Sequence, residues 1–365
     1  MKKLGFGLMR LPLIPGGTER DIDKEQTARM IDAFMARGFS YFDTAYIYHR
    51  GASEKIFGEL VADKYNRESY VLTTKMPSWL IKSKEDYDFI FAKQLDRTHA
   101  GYFDWYFLHA LGNEFTEVIE NTDGFGYLRK KKDEGLIKHM GFSFHGDYDA
   151  LAKLLDNHPD TELVQLQLNY ADWESRSVMA HKCYDLCTER GIKVSVMEPL
   201  KGGSLVKLPE KALALLNGEA PSDFAFRFAL KDNVMVVLSG MGNIDELNKN
   251  MDLFDDPAPF TEKDAETAGK INAVLNETAA IKCTACHYCT DGCPAGIPIP
   301  EYFSIYNSMK VYGYQPSMNN MYDSLKAVHG SPADCIGCRQ CEAACPQKLE
   351  IVKYLETVRK QFEKE

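Results

Sequence analysis

Eight of the ten cysteines lie after residue 282, in two groups with the same internal spacing. The sequence CTACHYCTDGCP begins at Cys283, and CIGCRQCEAACP begins at Cys335. In each group the cysteines are separated by two, two and three residues, and a proline follows the last one. In a reducing compartment, thiols clustered in this way indicate metal binding or redox chemistry rather than disulfide bonds.

The spacing of both groups predicts ligands to iron–sulfur clusters. C-x2-C-x2-C-x3-C-P is the pattern of bacterial two-cluster ferredoxins, in which the fourth cysteine ligates the other cluster. By that logic the first cluster takes Cys283, Cys286, Cys289 and Cys345, and the second takes Cys335, Cys338, Cys341 and Cys293. Zinc is the alternative, but its sites use pairs of C-x2-C rather than triplets with a fourth cysteine before proline. The sequence therefore predicts two [4Fe–4S] clusters.

Four polar residues near the ends of apolar runs form a second group that could do chemistry: Asp43, Tyr48, Lys75 and His109. A lysine ammonium lowers the pKa of a nearby tyrosine, and an aspartate keeps the lysine charged and oriented. Tyr48 could then give a proton to a carbonyl oxygen that a histidine donor holds, while a hydride reaches the carbonyl carbon. Singly, His109 could be a core histidine, and Asp43 with Lys75 a structural ion pair. Together the four favour catalysis.

The elements that must position these residues alternate between short apolar runs and longer amphipathic stretches. The predicted strands are 4–11, 40–47, 70–76, 104–111, 137–145, 162–170, 192–200 and 234–241, and helical stretches separate them. Eight such repeats over about 250 residues predict an α/β fold of the (β/α)8 TIM barrel type, which places chemistry at the C-terminal ends of the strands. A doubly wound open sheet is the alternative, but GFGLMR lacks the third glycine and the following helix of a dinucleotide fingerprint.

The Pro-rich segment DDPAPF, residues 255–260, predicts a domain boundary. We expect the barrel over residues 1–258, a linker helix over 259–280, and a small, mainly helical ferredoxin-like domain over 281–365. The spacer between the two cysteine groups, residues 295–334, contains two segments with a helical pattern.

The formal net charge of −10 argues against nucleic acid or an anionic membrane as a partner, because both need clustered Lys and Arg. No apolar run of 18 residues occurs, and MKKLGFGLMRLPLIPGG is a poor signal peptide because Gly, Arg and Pro interrupt it. We expect a cytoplasmic protein.

Residues 4–255 resemble the aldo-keto reductases. The resemblance is carried by GFGLMRLP (5–12), FDTAYIYHRGASE (42–54), TTK (73–75), DWYFLH (104–109), EGLIKHMGFS (134–143), QLQLNY (165–170) and SGMGNIDELNKN (239–250). It implies that Asp43, Tyr48, Lys75 and His109 are the family's catalytic tetrad and that the substrate is a small carbonyl compound or alcohol. Trp79 and Trp173, just past strand ends, are candidate walls of the substrate pocket.

The resemblance also implies a nicotinamide cofactor extended across the barrel mouth. It places the carboxamide near Ser143 and Gln165, the nicotinamide ring near Met197, and the pyrophosphate near the loop after Leu200. The implied contacts of the adenosine end are Ser239, Gly240, Met241, Asn243, Glu246 and Asn250. Glu246 stands where NADPH-using members carry an arginine, and Gly240 where they carry a lysine. NAD(H) is therefore favoured over NADP(H), since a carboxylate repels a 2′-phosphate.

Joining the two halves raises a mismatch, because a hydride carries two electrons and each cluster carries one. We therefore weigh three functions. The first is a nicotinamide-dependent carbonyl reductase or alcohol dehydrogenase whose clusters exchange electrons with a ferredoxin-like partner. The second is an enzyme in which a flavin mediates, since Met197 replaces the aromatic residue that stacks on the nicotinamide in many members. In the third the clusters only sense redox state or hold the C-terminal domain folded.

Overall fold

The computed structural model describes residues 1–112, 115–175, 178–290 and 292–363. In these residues eight parallel strands form a closed barrel in chain order, and β8 pairs with β1 to close it. The strands are β1 Leu4–Gly7, β2 Tyr41–Asp43, β3 Val71–Pro77, β4 Phe103–Leu111, β5 Ile137–Phe144, β6 Leu163–Gln167, β7 Lys193–Met197 and β8 Val234–Ser239. The predicted (β/α)8 barrel is confirmed.

Helices lie between the strands and continue beyond the barrel. Those up to residue 255 are α1 Lys24–Ala36, α2 Ala52–Phe57, α3 Lys84–Thr98, α4 Thr116–Asn121, α5 Gly124–Asp133, α6 Tyr148–Asn157, α7 Ala180–Glu189, α8 Glu210–Leu213, α9 Pro221–Ala229 and α10 Ile244–Asp255. The later ones are α11 Glu262–Thr278, α12 Ile299–Tyr312, α13 Pro316–Val328, α14 Gln340–Ala344 and α15 Ile351–Phe362. Local sequence sets the ends of several of these helices. For α1, the Asp23 carboxylate accepts a hydrogen bond from the amide of Gln26.

The strands are buried on both faces because helices cover the outside of the barrel and side chains fill the inside. This explains why they are continuous apolar runs, such as FDWYFLHAL in β4. On the outside, α1 packs on β1 and β2 through Phe34, whose ring centroid lies 5.4 Å from that of Phe6 and 5.4 Å from that of Phe42.

Contacts between Cα atoms divide the chain into two compact units. The barrel unit contains the described residues of Met1–Trp173, Val178–Pro199 and Phe226–Pro259. The second unit contains Leu200–Ala225 together with the described residues after Pro259. In this second unit α11 contacts α8, and Gln315 Nε2 donates to Ser204 Oγ at 3.2 Å. The segment that follows β7 therefore packs with helices that come much later in the chain.

The part of the second unit after residue 280 is helical, as predicted, and has its own apolar core. Tyr302 and Phe303 of α12 and Leu355 and Val358 of α15 are almost completely buried in it. The cysteine loops surround this core. No helix in the described part of the chain is both long enough and apolar enough to cross a membrane.

Candidate functional site

The four polar residues predicted to do chemistry lie at the C-terminal ends of β2, β3 and β4. Asp43 ends β2, Lys75 and His109 lie in the last part of β3 and β4, and Tyr48 follows β2. The Lys75 ammonium donates to Asp43 Oδ1 at 2.6 Å and to the Thr44 carbonyl at 2.8 Å. Its Nζ also lies 3.4 Å from Tyr48 Oη. One lysine thus connects the carboxylate with the tyrosine hydroxyl.

His109 faces the same group from β4. Its ring centroid lies 6.0 Å from that of Tyr48, and the two rings are nearly perpendicular. Among the described residues its Nδ1 is buried without a hydrogen-bond partner. Burial, together with the nearby charge of Lys75, holds the pKa of His109 well below its usual range. The ring is therefore neutral, and it keeps hydrogen-bonding capacity for a bound molecule.

The charge states of Lys75 and Tyr48 follow from burial and from each other. Burial lowers the pKa of Lys75, but Asp43 and Tyr48 together outweigh it, and the pKa is raised. Lys75 is therefore an ammonium at neutral pH. Burial raises the pKa of Tyr48, and the opposing effect of Lys75 is smaller, so that the net shift is upward. Lys75 lowers the pKa of Tyr48, as expected, but desolvation of the phenolate is the larger effect.

The backbone after Tyr48 is strained and held in place. His49 and Arg50 have φ values of 51° and 53°, in the left-handed region that side chains rarely adopt. The His49 ring is held at both nitrogens, since Nε2 accepts from the Leu11 amide at 3.2 Å and Nδ1 lies 2.7 Å from the Glu19 carbonyl oxygen. Strain of this kind persists only where the surroundings fix the conformation.

Two predicted carboxamide-binding residues lie beside this group. Ser143 of β5 and Gln165 of β6 are paired in the sheet register and almost fully buried. Ser143 Oγ accepts from the Ala110 amide at 2.7 Å. Gln165 Nε2 donates to Asp43 Oδ2 at 3.3 Å and lies 3.4 Å from Ser195 Oγ. Asp43 therefore connects the lysine with the amide side chain.

At the end of β7 lies a charged residue that the sequence interpretation missed. Met197, half-buried, is the last residue of β7, and Glu198 follows it with a φ of 53°. The negative charge of Glu198 contributes to the raised pKa of Tyr48. Glu198 could have been predicted in the same way as the polar residues of the other strands, because it directly follows a buried apolar run.

The two tryptophans considered as pocket walls have different surroundings. The Trp79 ring lies 5.1 Å from the His109 ring, centroid to centroid, and so borders the candidate site. Trp173 is stacked on His181 at 4.4 Å and packs edge-on against Phe228 at 5.4 Å. Its contacts are those of ordinary packing between elements of the barrel.

The residues predicted to contact the adenosine end form a separate group at β8 and α10. Ser239 Oγ accepts from Asn250 Nδ2 at 3.1 Å. Asn243 caps α10 by accepting from the Glu246 amide, and the Glu246 carboxylate accepts from the Gly242 amide at 2.8 Å. A carboxylate thus lies at the start of α10, where a helix N-terminus favours negative charge.

Three further predicted contacts lie in different surroundings. Met241 is buried. A Cβ atom at Gly240 would lie only 3.0 Å from the Cβ of Arg10, so the glycine leaves room for the arginine side chain. Leu200 belongs to the second unit, where it precedes the short 3-10 turn Lys201–Val206.

In the second unit the two predicted sets of four cysteines line two separate small cavities. The first is lined by Cys283, Cys286, Cys289 and Cys345, and the second by Cys293, Cys335, Cys338 and Cys341. Apolar side chains complete both linings, among them Phe303 in the first and Leu355 in the second. In each cavity the fourth cysteine comes from the other motif.

The cysteine thiols would have to lose protons before they could bind iron or zinc. Nowhere in the described ranges do three or more His, Cys, Asp or Glu side chains come close enough to hold one metal ion. Burial raises the pKa of Cys289 to about 12 and that of Cys341 to about 11, so metal binding must displace protons from these thiols.

Comparison with known proteins decides the family. The model of the aldo/keto reductase family matches residues 3–273. The chain belongs to the aldo/keto reductase family. A model of the 4Fe-4S dicluster domain matches residues 282–350, so this reductase carries a C-terminal iron–sulfur domain.

Individual relatives of the reductase are distant. A probable aldo-keto reductase of Glycine max is 27% identical over 211 residues, which are 56% of this chain and 57% of the relative. An uncharacterized oxidoreductase of Bacillus subtilis is 29% identical over 152 residues, 39% of this chain and 45% of the relative. The reductase thus spans about half the length of the curated relatives it matches.

Solved structures share the barrel. An aldo-keto reductase from Bacillus halodurans in its holo form has 24% identity and a TM-score of 0.59, over 74% of this chain and 91% of the other. An aldo/keto reductase from Klebsiella pneumoniae in complex with NADP and acetate has 18% identity and a TM-score of 0.58, over 74% and 90%. At these identities the likeness shows the fold.

Proposed function

We propose that this reductase transfers a hydride between a nicotinamide cofactor and a small carbonyl compound or alcohol, with Tyr48 as the proton donor. The observation that carries the proposal is the position of the Lys75 ammonium, within hydrogen-bonding distance of both Asp43 and Tyr48 at the barrel mouth. A structural ion pair would not need a tyrosine hydroxyl and a neutral histidine beside it. All four groups are those that carbonyl reduction requires.

Each residue has a distinct role in the proposed reaction. Tyr48 gives its hydroxyl proton to the carbonyl oxygen as the hydride reaches the carbon, and the product is the alcohol. The Lys75 ammonium stabilises the phenolate that remains, and Asp43 fixes the position of that ammonium. Neutral His109 donates a hydrogen bond to the carbonyl oxygen and orients it. A bound nicotinamide would supply the hydride, with Ser143 and Gln165 as partners for its carboxamide.

The proposal includes a preference for NADH, supported by the carboxylate of Glu246 near the start of α10. A relative from Klebsiella pneumoniae was solved with NADP. In this reductase, however, Glu246 and Gly240 stand where the family pattern has cationic phosphate ligands, although Arg10 packs beside Gly240. A carboxylate at this position repels a 2′-phosphate and can accept a hydrogen bond from a ribose hydroxyl.

Replacing Glu246 with arginine should therefore lower the Kd for NADPH by about tenfold or more, because a charge-assisted hydrogen bond replaces a repulsion. Titration of nucleotide binding by fluorescence, for NADH and NADPH in parallel, measures the change. Glu246→Gln serves as the control because it removes the repulsion without adding a cation. Its Kd for NADPH should lie between those of the unmodified protein and of Glu246→Arg. Tighter binding of NADPH than of NADH by the unmodified reductase would contradict the proposed preference.

We further propose that two [4Fe–4S] clusters, one in each cysteine-lined cavity, exchange electrons with a ferredoxin-like partner. The cavities suit this group because each presents four thiols in apolar surroundings. A flavin at the barrel is the second candidate for the reaction centre. It is favoured by Met197, which offers no ring for stacking on a nicotinamide, and by the need to convert single electrons into pairs.

Anaerobic purification followed by analysis of iron, sulfide and released flavin tests the whole proposal. We expect about eight iron atoms and eight sulfides per chain, no flavin, and oxidation of NADH that depends on an added aldehyde or ketone. Stoichiometric flavin would favour the second candidate. Absence of any carbonyl-dependent NADH oxidation over a broad panel of aldehydes and ketones would count against the hydride reaction.

A further inference from the structure

A largely buried ion pair, whose carboxylate is fully buried, lies outside the barrel strands, behind β3. Glu54 of α2 accepts from Arg97 Nη1 of α3 at 3.0 Å, and their side chains are 0% and 11% exposed. The same carboxylate accepts from Thr74 Oγ1 at 2.8 Å and from Gln94 Nε2 at 2.6 Å. Burying two charges costs several kcal/mol of desolvation for each, so such a pair contributes little to net stability. Its contacts indicate another role.

The pair reaches both segments that carry proposed catalytic groups. Arg97 Nη1 donates to the carbonyl of Tyr46 at 3.1 Å, and the guanidinium lies 4.5 Å from the centroid of the Tyr46 ring. Gln94, one turn earlier on α3, donates from Nε2 to the carbonyl of Lys75 at 3.1 Å. Glu54 therefore orients two donors, one for the segment before Tyr48 and one for the strand that bears Lys75.

Arg97 also packs against the other end of the Tyr48 segment. Gly51 has a φ of 87°, and a Cβ atom there would lie 2.8 Å from Arg97 Nη2. His49, Arg50 and Gly51 are thus three consecutive residues in the left-handed region. A non-glycine residue in this region is strained, so the segment needs external contacts to keep its shape. Arg97 supplies them at both ends, at the Tyr46 carbonyl and at Gly51.

We propose that Arg97, oriented by Glu54, is a positioning residue that fixes the Tyr46–Gly51 segment and thereby holds the Tyr48 hydroxyl beside Lys75. Neither residue touches the reacting atoms. The inference rests on the proposed function, since it gives the segment a task only if Tyr48 donates the proton. It adds two residues on the outer side of the barrel strands, of which Arg97 lies far from Tyr48 in the sequence.

The test compares two double variants that each remove both partners of a largely buried ion pair; the control also removes the contact of Asp104 with the half-exposed Lys138, at 3.1 Å. Glu54→Gln with Arg97→Met removes this pair. Arg67→Met with Asp104→Asn removes the pair at the N-terminal ends of β3 and β4, where Arg67 binds Asp104 at 2.7 Å with exposures of 16% and 10%. The second is a matched control because Arg67 also donates to loop carbonyls, those of Ala100 and Tyr102.

At a temperature well below both Tm values, we expect the Glu54→Gln/Arg97→Met variant to lose about 10- to 100-fold in kcat, because small misplacements of a catalytic group are costly. Its KM and its Kd for NADH should stay within twofold. The Arg67→Met/Asp104→Asn control should lose a similar amount in Tm and keep kcat within twofold. Equal kcat values for the two double variants would overturn the inference.

The pH profile gives a readout that loss of stability would not move. Carbonyl reduction needs the neutral hydroxyl, so activity is present below the Tyr48 pKa and is lost as the pH rises through it. If Tyr48 moves away from Lys75, the lowering effect of the ammonium weakens and the alkaline limb shifts to higher pH. An unchanged limb in the folded Glu54→Gln/Arg97→Met variant would count against positioning.

Arg97→Lys covers the case in which the double variant does not fold. It keeps the charge beside Glu54 but lacks the planar guanidinium, whose Nη1 binds both Glu54 and the Tyr46 carbonyl and whose Nη2 lies against Gly51. The kcat should therefore fall at least fivefold in a folded protein. A kcat within twofold of the unmodified reductase would overturn the inference. Tyr48→Phe distinguishes failure of the proposed function from failure of the positioning role. An active Tyr48→Phe variant refutes the proposed function. Fully active Arg97 variants, together with an inactive Tyr48→Phe variant, refute only the positioning role.

Discussion

Tyr48→Phe is expected to lower kcat for carbonyl reduction by about 10²- to 10⁴-fold, the usual contribution of a positioned general acid. The substitution removes one oxygen atom, the one 3.4 Å from Lys75 Nζ. It keeps the ring, which lies 5.0 Å from the same ammonium and faces His109 edge-on. The site should therefore retain its shape while losing its proton donor. Single-turnover oxidation of NADH in the presence of excess carbonyl substrate measures the chemical step directly.

Two controls make this result specific. Tyr65→Phe, in the segment that precedes the N-terminal end of β3, removes a hydroxyl that binds Asp32 of α1. The kcat of this variant should stay within twofold. The Kd for NADH should also change less than twofold in Tyr48→Phe, because the hydroxyl is proposed to act on the substrate oxygen and not on the cofactor. A Tyr48→Phe variant with unchanged kcat would assign the proton transfer to another group and refute the proposed role.

Replacement of the fourth cysteines should reveal which thiols share a cluster. Cys345 lines the cavity of Cys283, whereas Cys293 lines that of Cys335. We expect Cys345→Ser to lower the iron content from about eight to about four atoms per chain. Adding Cys283→Ser should cause no further loss, since both ligate one cluster. Adding Cys335→Ser instead should remove the remaining iron. Iron analysis and electron paramagnetic resonance of the reduced protein provide the readout.

The opposite pattern would contradict this assignment. If Cys345→Ser with Cys335→Ser retained half of the iron, while Cys345→Ser with Cys283→Ser retained none, each cluster would take its four cysteines from one motif. Cys183→Ala is the matched control. Its thiol is buried on α7 in the barrel unit, and iron content should be unchanged.

The barrel could be predicted because parallel strands that are covered on both faces consist of continuous apolar runs. Eight such runs can be identified in the sequence. Six of the eight strand ends were predicted too late along the chain, whereas β4 ends at Leu111 as predicted and β3 ends one residue later than predicted, at Pro77. The second strand ends at Asp43 although apolar residues continue to residue 47, and the seventh ends at Met197 rather than 200. After the seventh strand, Glu198 has a φ of 53°, which does not fit strand pairing, and Leu200 belongs to the second unit.

The contents of the site could be predicted only in part. Asp43, Lys75 and His109 each close an apolar run, which marks them in the sequence. The pKa of Tyr48 is raised because burial outweighs the charge of Lys75. This balance depends on the three-dimensional surroundings and cannot be seen in a local sequence pattern. The contacts of Arg97 with Glu54 and Tyr46 join three elements, so sequence spacing carries no trace of them.

The crossed linings of the two cavities set the order in which the protein can mature during synthesis. The first set of thiols extends from Cys283 to Cys345, and the second lies inside it, from Cys293 to Cys341. Until Cys341 has been translated neither set is complete, although all eight barrel strands have already been made. The segment Leu200–Ala225 likewise precedes its packing partner α11 in the chain. Under the proposed ligation, both clusters would therefore be completed only after the barrel strands have been made.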